Sequence, residues 1–182
     1  MSDLLPIEVP DRGDGIERGA VFGDEGNPPL HRYRLTRRWG PGAPVVFVML
    51  NPSIADHRQD DPTIRRCIGY ARGWGFSAMH VVNLYAYRAT KPPSMWAAET
   101  LGYDIVGPGN DDAIRDEVEH AGLVVAAWGV HARLDRVRRF FELADGDVVT
   151  ALSVTAVGAP GHPLYLRADL QPEPYRPKGI FQ

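Results

Sequence analysis

Four positions stand just past four apolar runs in this chain. Asn51-Pro52 follows VVFVML, Asn83 ends SAMHVVN, Trp128-Gly129 follows LVVAA, and His162 lies just beyond VVTALSV. Two carboxamides, an imidazole and exposed loop backbone are groups that can read a flat heterocycle. An Asn side chain pairs bidentately with a base edge, worth roughly 1–3 kcal/mol of discrimination. Each position also has a structural alternative. Asn51-Pro52 reads as an Asx-type turn that stops a strand. Asn83 reads as a cap on buried backbone, Trp128 as core, Gly129 as a helix-start glycine, and His162-Pro163 as a surface turn. What they share is place: ligands of open α/β sheets bind at the carboxyl ends of the strands.

A second group follows the Asn-Pro pair at once. The stretch ADHRQDDPTIRR sets Asp56, Asp60, Asp61, Thr63, Arg65 and Arg66 just beyond Ser53. Asp61 before Pro62 has the form of a helix cap. The same segment can also close over a pocket, with Asp61, Thr63 and Arg65 turned to a ligand and the Arg pairing with phosphate or carboxylate. His57, His80, His120 and His131 do not follow a metal-ligand spacing, and no ligand set specifies a metal. No Gly-rich phosphate loop or nucleophile elbow is present, and no cofactor is expected.

The elements that must position these residues follow from the apolar pattern. AVFGD and HRYRLTRRW read as strands joined across EGNPPL in an antiparallel hairpin. Val45–Leu50 is an unbroken apolar run, as in a strand covered on both faces. Pro62 opens a helix in which Ile64, Cys67, Ile68 and Ala71 recur at helical spacing, with Gly73 or Gly75 ending it. SAMHVVNLYAY reads as a second apolar strand, with Asn83 at its end, and one helical turn is expected near Met95–Ala98. A helix capped by Asn110 leads to the third strand, and VHARLDRVRRFFELA to the fourth. Strands alternating with helices predict right-handed βαβ crossovers and a mainly parallel four-stranded sheet behind the N-terminal β-hairpin. The whole reads as one domain over 1–182: an irregular lead-in to residue 19, an α/β core over 20–166 and a Pro-rich tail over 167–182.

Composition narrows the class. The chain has 182 residues, 44% of them hydrophobic and 24% charged, as in a soluble globular domain. A single cysteine, Cys67, rules out a disulfide framework and a Cys-ligated iron–sulfur cluster within one chain, and it reads as core. With no signal peptide and no membrane-length apolar run, a cytoplasmic location and no membrane partner are expected. A net charge of −3 argues against coating nucleic acid by bulk charge. The arginines of Arg32–Arg38, Arg65–Arg72 and Arg133–Arg139 read as solvated faces with local salt bridges.

The ordered string MLNPSIAD, DDPTIRRC, VNLYAYRAT, AWG and GHPLYL resembles the bacterial domain of unknown function 1643 family. More distantly, four segments resemble the uracil-DNA glycosylase superfamily. MLNPS is similar to its first motif, VVNLYAYRAT to its base-reading strand, LVVAAWGVHA to its strand before a Trp-Gly, and GHPLYL to its His-Pro-Ser-Pro motif. Together they span Val45–Leu166.

That second resemblance implies a three-layer αβα sandwich and a nucleotide flipped into a pocket. By motif position, Asn51 would orient water and His162 would donate, as neutral imidazole, to the departing base. Asn83 would bond the base edge, with Pro52, Ser53 and Gly129 shaping the pocket. Leu164 or Tyr165 would sit where a wedge enters the helix, and Tyr85 or Trp128 would stack on the base. The chain departs from the motifs at Leu50, at Ser53, and at Leu164-Tyr165 in place of Ser-Pro. Three readings stay open: an N-glycosidase acting on a modified or deaminated base in nucleic acid, a same-fold enzyme acting on a free nucleoside, nucleotide or modified base, and a base-binding module without chemistry.

Overall fold

Three antiparallel strands open the chain: Leu5–Val9 (β1), Glu17–Phe22 (β2) and Arg32–Arg38 (β3). The β2–β3 pair is the hairpin expected from AVFGD and HRYRLTRRW. This architecture comes from a computed structural model, which describes the backbone of Leu5–Val9 and residues 13–53, 59–144, 148–177 and 179. Asp56 and His57 lie outside the described residues, as do parts of the expected lead-in and tail.

The core strands follow: Val45–Met49 (β4), Ala78–Asn83 (β5), Leu123–Ala126 (β6) and Val149–Ala151 (β7). A last short strand is Glu173–Pro174 (β8). The sheet is larger and more mixed than the sequence predicts. Its order is β1-β2-β3-β5-β4-β6-β7-β8. Neighbours from β5 to β7 pair in parallel, and antiparallel strands extend the sheet on both sides. Two of those strands fall in segments read as irregular. β1 contains Pro6 and β8 contains Pro174, and both lie at edges, where a missing N–H costs no ladder bond. Proline there masked the strands.

Helices cover both faces. Pro62–Gly73 (α1) lies on one, packing Ile64, Cys67 and Ile68 against Phe47, Met49 and Val81. Pro92–Thr100 (α2), Asn110–Glu119 (α3) and Leu134–Leu143 (α4) cover the other, where Met95, Ile114 and Phe140 meet Val46, Val48 and Val82. The alternation along β4 explains the unbroken apolar run: Val45, Phe47 and Met49 face α1, while Val46 and Val48 face the three-helix layer. Asp61 caps α1 by accepting from the Ile64 N–H at 2.8 Å, and Pro62 sits at the first turn, as the sequence predicts. The helix near Met95–Ala98 runs for nine residues, about two and a half turns rather than one.

Asn110 is not a cap. Gly109 precedes α3, and Asn110 is its first residue, fully buried. Its Nδ2 donates to the Asn83 carbonyl at 3.0 Å and the Leu84 carbonyl at 3.2 Å. The Leu84 carbonyl also accepts from Arg136 Nε. The end of β5 is thereby held from behind, although its last residue faces the opposite layer. Asn110→Ala removes the side-chain donor from the Asn83 carbonyl, so a loss of about 1–2 kcal/mol is expected. Urea unfolding measures it; an unchanged midpoint would show that water replaces the bond without cost.

Candidate functional site

The carboxyl ends of the parallel strands open into a cavity of about 750 Å3 on the α1 side of the sheet. Its walls come from the turns after β4, β5, β6 and β7 and from the start of α1.

The first wall is the Asn-Pro stop. Leu84 N–H donates to the Met49 carbonyl, Tyr85 N–H to that of Leu50, and Ala89 N–H to that of Pro52, each at 2.9 Å. The chain leaving β4 is thus zipped to the chain leaving β5. Asn51 Nδ2 completes the zip by donating to the Ala89 carbonyl at 2.8 Å and to the Pro52 carbonyl at 3.1 Å. Asn51 therefore does make the turn, and with its NH2 group only. Its Oδ1 has no donor among the described residues and remains a carbonyl-type acceptor at the cavity.

Asn83 ends β5 beside Met49 of β4. It is 1% exposed, and its Nδ2 has no hydrogen-bond partner among the described residues. Leaving a buried amide unpaired costs about 1–3 kcal/mol. Asn83 lines the cavity.

His162 reaches the same space from the Gly/Pro loop after β7. The Leu164 N–H donates to its Nδ1 at 3.4 Å, so the ring proton sits on Nε2. Burial pushes its pKa below 6.5, with the Asp61 carboxylate opposing, so the ring is neutral at neutral pH. Gly161 carries the loop past Ser153: it donates to the Ser153 carbonyl at 2.9 Å, and a Cβ at 161 would lie 2.1 Å from Ser153 Oγ. Only glycine allows this approach without displacing Ser153.

Ser53, Asp61, Thr63, Trp128, Gly129, Leu164 and Tyr165 also line the cavity. Trp128 does so as a wall of the core: it is buried and meets Phe140, Phe141 and Tyr175 edge-on. Gly129 turns the chain with φ 71° and donates to the Pro160 carbonyl. Tyr165 is 83% exposed at the rim. Three residues lie elsewhere. Tyr85 is buried under the other helical layer, edge-on to Trp96, its hydroxyl accepting from the Arg133 N–H. Arg65 is exposed and donates to the Asp60 carbonyl at 2.5 Å. Pro52 contributes its carbonyl to the zip.

A family model described as protein of unknown function, DUF1643, matches residues 32–164. The chain belongs to this family. No curated protein and no solved structure matches it. The matched span of this DUF1643 chain contains Asn51, Asn83 and His162, and it begins at Arg32. Among the described residues no helix is long and apolar enough to cross a membrane, and no group of three or more His, Cys, Asp or Glu is placed to hold a metal ion.

Arg32 also lines the cavity, and sequence reasoning missed it. The cluster Arg32–Arg38 reads as a solvated face, yet Arg32 is 7% exposed and Arg37 is fully buried. Two features invisible to a strand pattern cause this. The β2–β3 register shifts between Val21 and Phe22, and Asp60 arrives from the turn before α1 to bind Arg37. Ser153 and Thr155 were missed because each is an ordinary polar loop residue by type.

Proposed function

We propose that this DUF1643-family chain recognises a nucleobase and hydrolyses the N-glycosidic bond that joins it to a sugar. The observation that carries the reading is the buried Asn83, whose Nδ2 is unpartnered among the described residues and which lines the same cavity as Asn51 and His162. A donor held dry and unpaired favours a ligand with a matching acceptor, such as a base carbonyl or ring nitrogen. Its backbone is fixed by Asn110, so little reorganisation accompanies binding.

The chemistry follows from the protonation states. The bond from the sugar C1′ to the base nitrogen breaks, and its electron pair stays on the base. Negative charge then grows on the base, and the Nε2–H of neutral His162 donates to it. Asn51 Oδ1 accepts from a water and orients its oxygen toward C1′. That oxygen bonds to C1′, and the water's proton ends on the released base. The resemblance of MLNPS, VVNLYAYRAT, LVVAAWGVHA and GHPLYL to uracil-DNA glycosylase motifs supports the same assignment.

The test is direct. The purified protein is incubated with single- and double-stranded oligonucleotides, nucleosides and nucleotides carrying uracil, hypoxanthine or alkylated bases, and free base is measured by chromatography. Base release is expected, with Asn51→Ala losing most of it. Absence of release from every substrate, or equal release by Asn51→Ala, sinks the reading. Asn83→Ala is expected to weaken binding of the cleaved substrate by at least tenfold, in line with roughly 1–3 kcal/mol of base recognition. Folding stability should hold, since Asn83 Nδ2 makes no internal bond. A stability loss without a binding loss would mark Asn83 as structural.

A further inference from the structure

Among the described residues, the buried arginines have acceptors, with one exception. Arg18 bonds Asp14 and Asp60, Arg37 bonds Asp60, and Arg136 bonds Asp111 and the Leu84 carbonyl. Arg32 is 7% exposed, yet its guanidinium has no hydrogen bond or ion pair among the described residues, and its buried Nε is unsatisfied. Its electrostatic surroundings are largely cationic. Burial lowers its pKa to about 10, Arg88 and Arg37 push the same way, and Asp61 opposes. The Asp61 Oδ1 is already engaged by the Ile64 N–H. The guanidinium stays charged at neutral pH, and an unpaired buried charge is among the costliest features a fold can carry.

Arg32 faces the cavity that holds Asn51, Asn83 and His162, and the amino end of the 12-residue helix α1 opens on the same space. A planar guanidinium fork suits a phosphate group, while the helix end beside it is already capped by the Asp61 carboxylate, so Arg32 carries the recognition. The remainder of the wall suits a small molecule better than a duplex. Arg32 is the one Lys or Arg among the described lining residues, while Val130 and Tyr165 are exposed there at 55% and 83%. Duplex binding depends on several accessible cations contacting phosphates. The cavity volume lies in the range of small-molecule sites.

We propose that Arg32 is the binding residue for a phosphate monoester, and that the substrate of this cavity is a free nucleoside monophosphate rather than a base embedded in duplex DNA. The nucleobase half rests on the function proposed above; the phosphate half does not. Asn83 on β5 would hold the base while Arg32 on β3 holds the phosphate.

Titration calorimetry in phosphate-free buffer tests this with uridine and inosine 5′-monophosphates, the matching nucleosides, ribose 5-phosphate, and a duplex oligonucleotide containing uracil. The monophosphates are expected to bind at least tenfold more tightly than the nucleosides, and ribose 5-phosphate to bind measurably. Arg32→Met should abolish that preference and raise Tm, because an unpaired buried charge is removed. Arg32→Lys should keep part of the preference and serves if the Met variant does not fold. Equal affinity for nucleosides and monophosphates, a preference that survives in Arg32→Met, tighter binding of the duplex, or no binding of any phosphate overturns the proposal. Phosphate preference without base release would remove the hydrolase reading and leave this one standing. Base release with no phosphate preference would do the reverse.

Discussion

Asp60→Ala is expected to lower folding stability by about 3 kcal/mol, the cost of breaking a buried ion pair by removing one partner. Its carboxylate serves two cations at once. Oδ1 accepts from Arg37 Nε at 2.6 Å, and Oδ2 from Arg18 Nη2 at 3.2 Å. The Arg37 side chain is fully buried and that of Arg18 is 2% exposed, so neither charge can turn to water once the carboxylate is gone. Arg18 keeps Asp14, which limits its share of the loss. Asp60 also stands one residue before the cap of α1, and its carbonyl accepts from Arg65. The carbonyl persists in Asp60→Ala, so it is the lost carboxylate ties to Arg37 and Arg18 that loosen the helix start forming one cavity wall. Urea unfolding followed by circular dichroism measures the effect. Asp60→Asn, which keeps the shape and loses the charge, should fall nearly as far. A loss below about 1 kcal/mol in both would mean that water enters to solvate Arg37.

His162→Ala is expected to reduce base release by about 10²–10³-fold, the usual effect of removing one donor to a developing anion. The loss should fall on kcat, because the donor acts on charge that appears as the bond breaks, with KM changing little. A purely structural role would lower Tm and leave kcat intact. The pH dependence has a definite sign. The folded pKa of His162 lies below 6.5 because burial disfavours the charged ring. Its contribution to stability is complete above about 6.5 and is lost as pH falls through the depressed folded value. Protonation also puts a hydrogen on Nδ1 and ends its acceptance from the Leu164 N–H. His162→Gln should flatten the stability profile below pH 6.5. A profile identical to the native one would detach His162 from that transition.

Much of the site's location was legible before any coordinates. Unbroken apolar runs mark buried parallel strands, because both faces of such a strand are covered, and polar residues at their ends must then lie on one edge of the sheet. Asn51, Asn83 and His162 follow from that logic alone, and so does Asp61 before Pro62 as a helix cap. Tyr85 did not, and Trp128 lines the cavity as part of the core. An aromatic near a strand end packs into whichever layer leaves room, and α4 and α2 claimed them.

What the sequence by itself determined is therefore the order of elements, the faces of β4 and the edge at which polar residues gather. These depend on periodicity and turn chemistry, which are local. Tertiary structure decided the pairing of charges and the satisfaction of polar atoms, which depend on segments far apart in the chain. Asp60 reaches Arg37 across 23 residues, and Asn110 reaches the Asn83 carbonyl across 27. An arginine in an alternating strand looks the same whether it meets water, a carboxylate or an empty cavity. Only the folded packing shows that Arg37 has its carboxylate and that Arg32 is left facing a cavity.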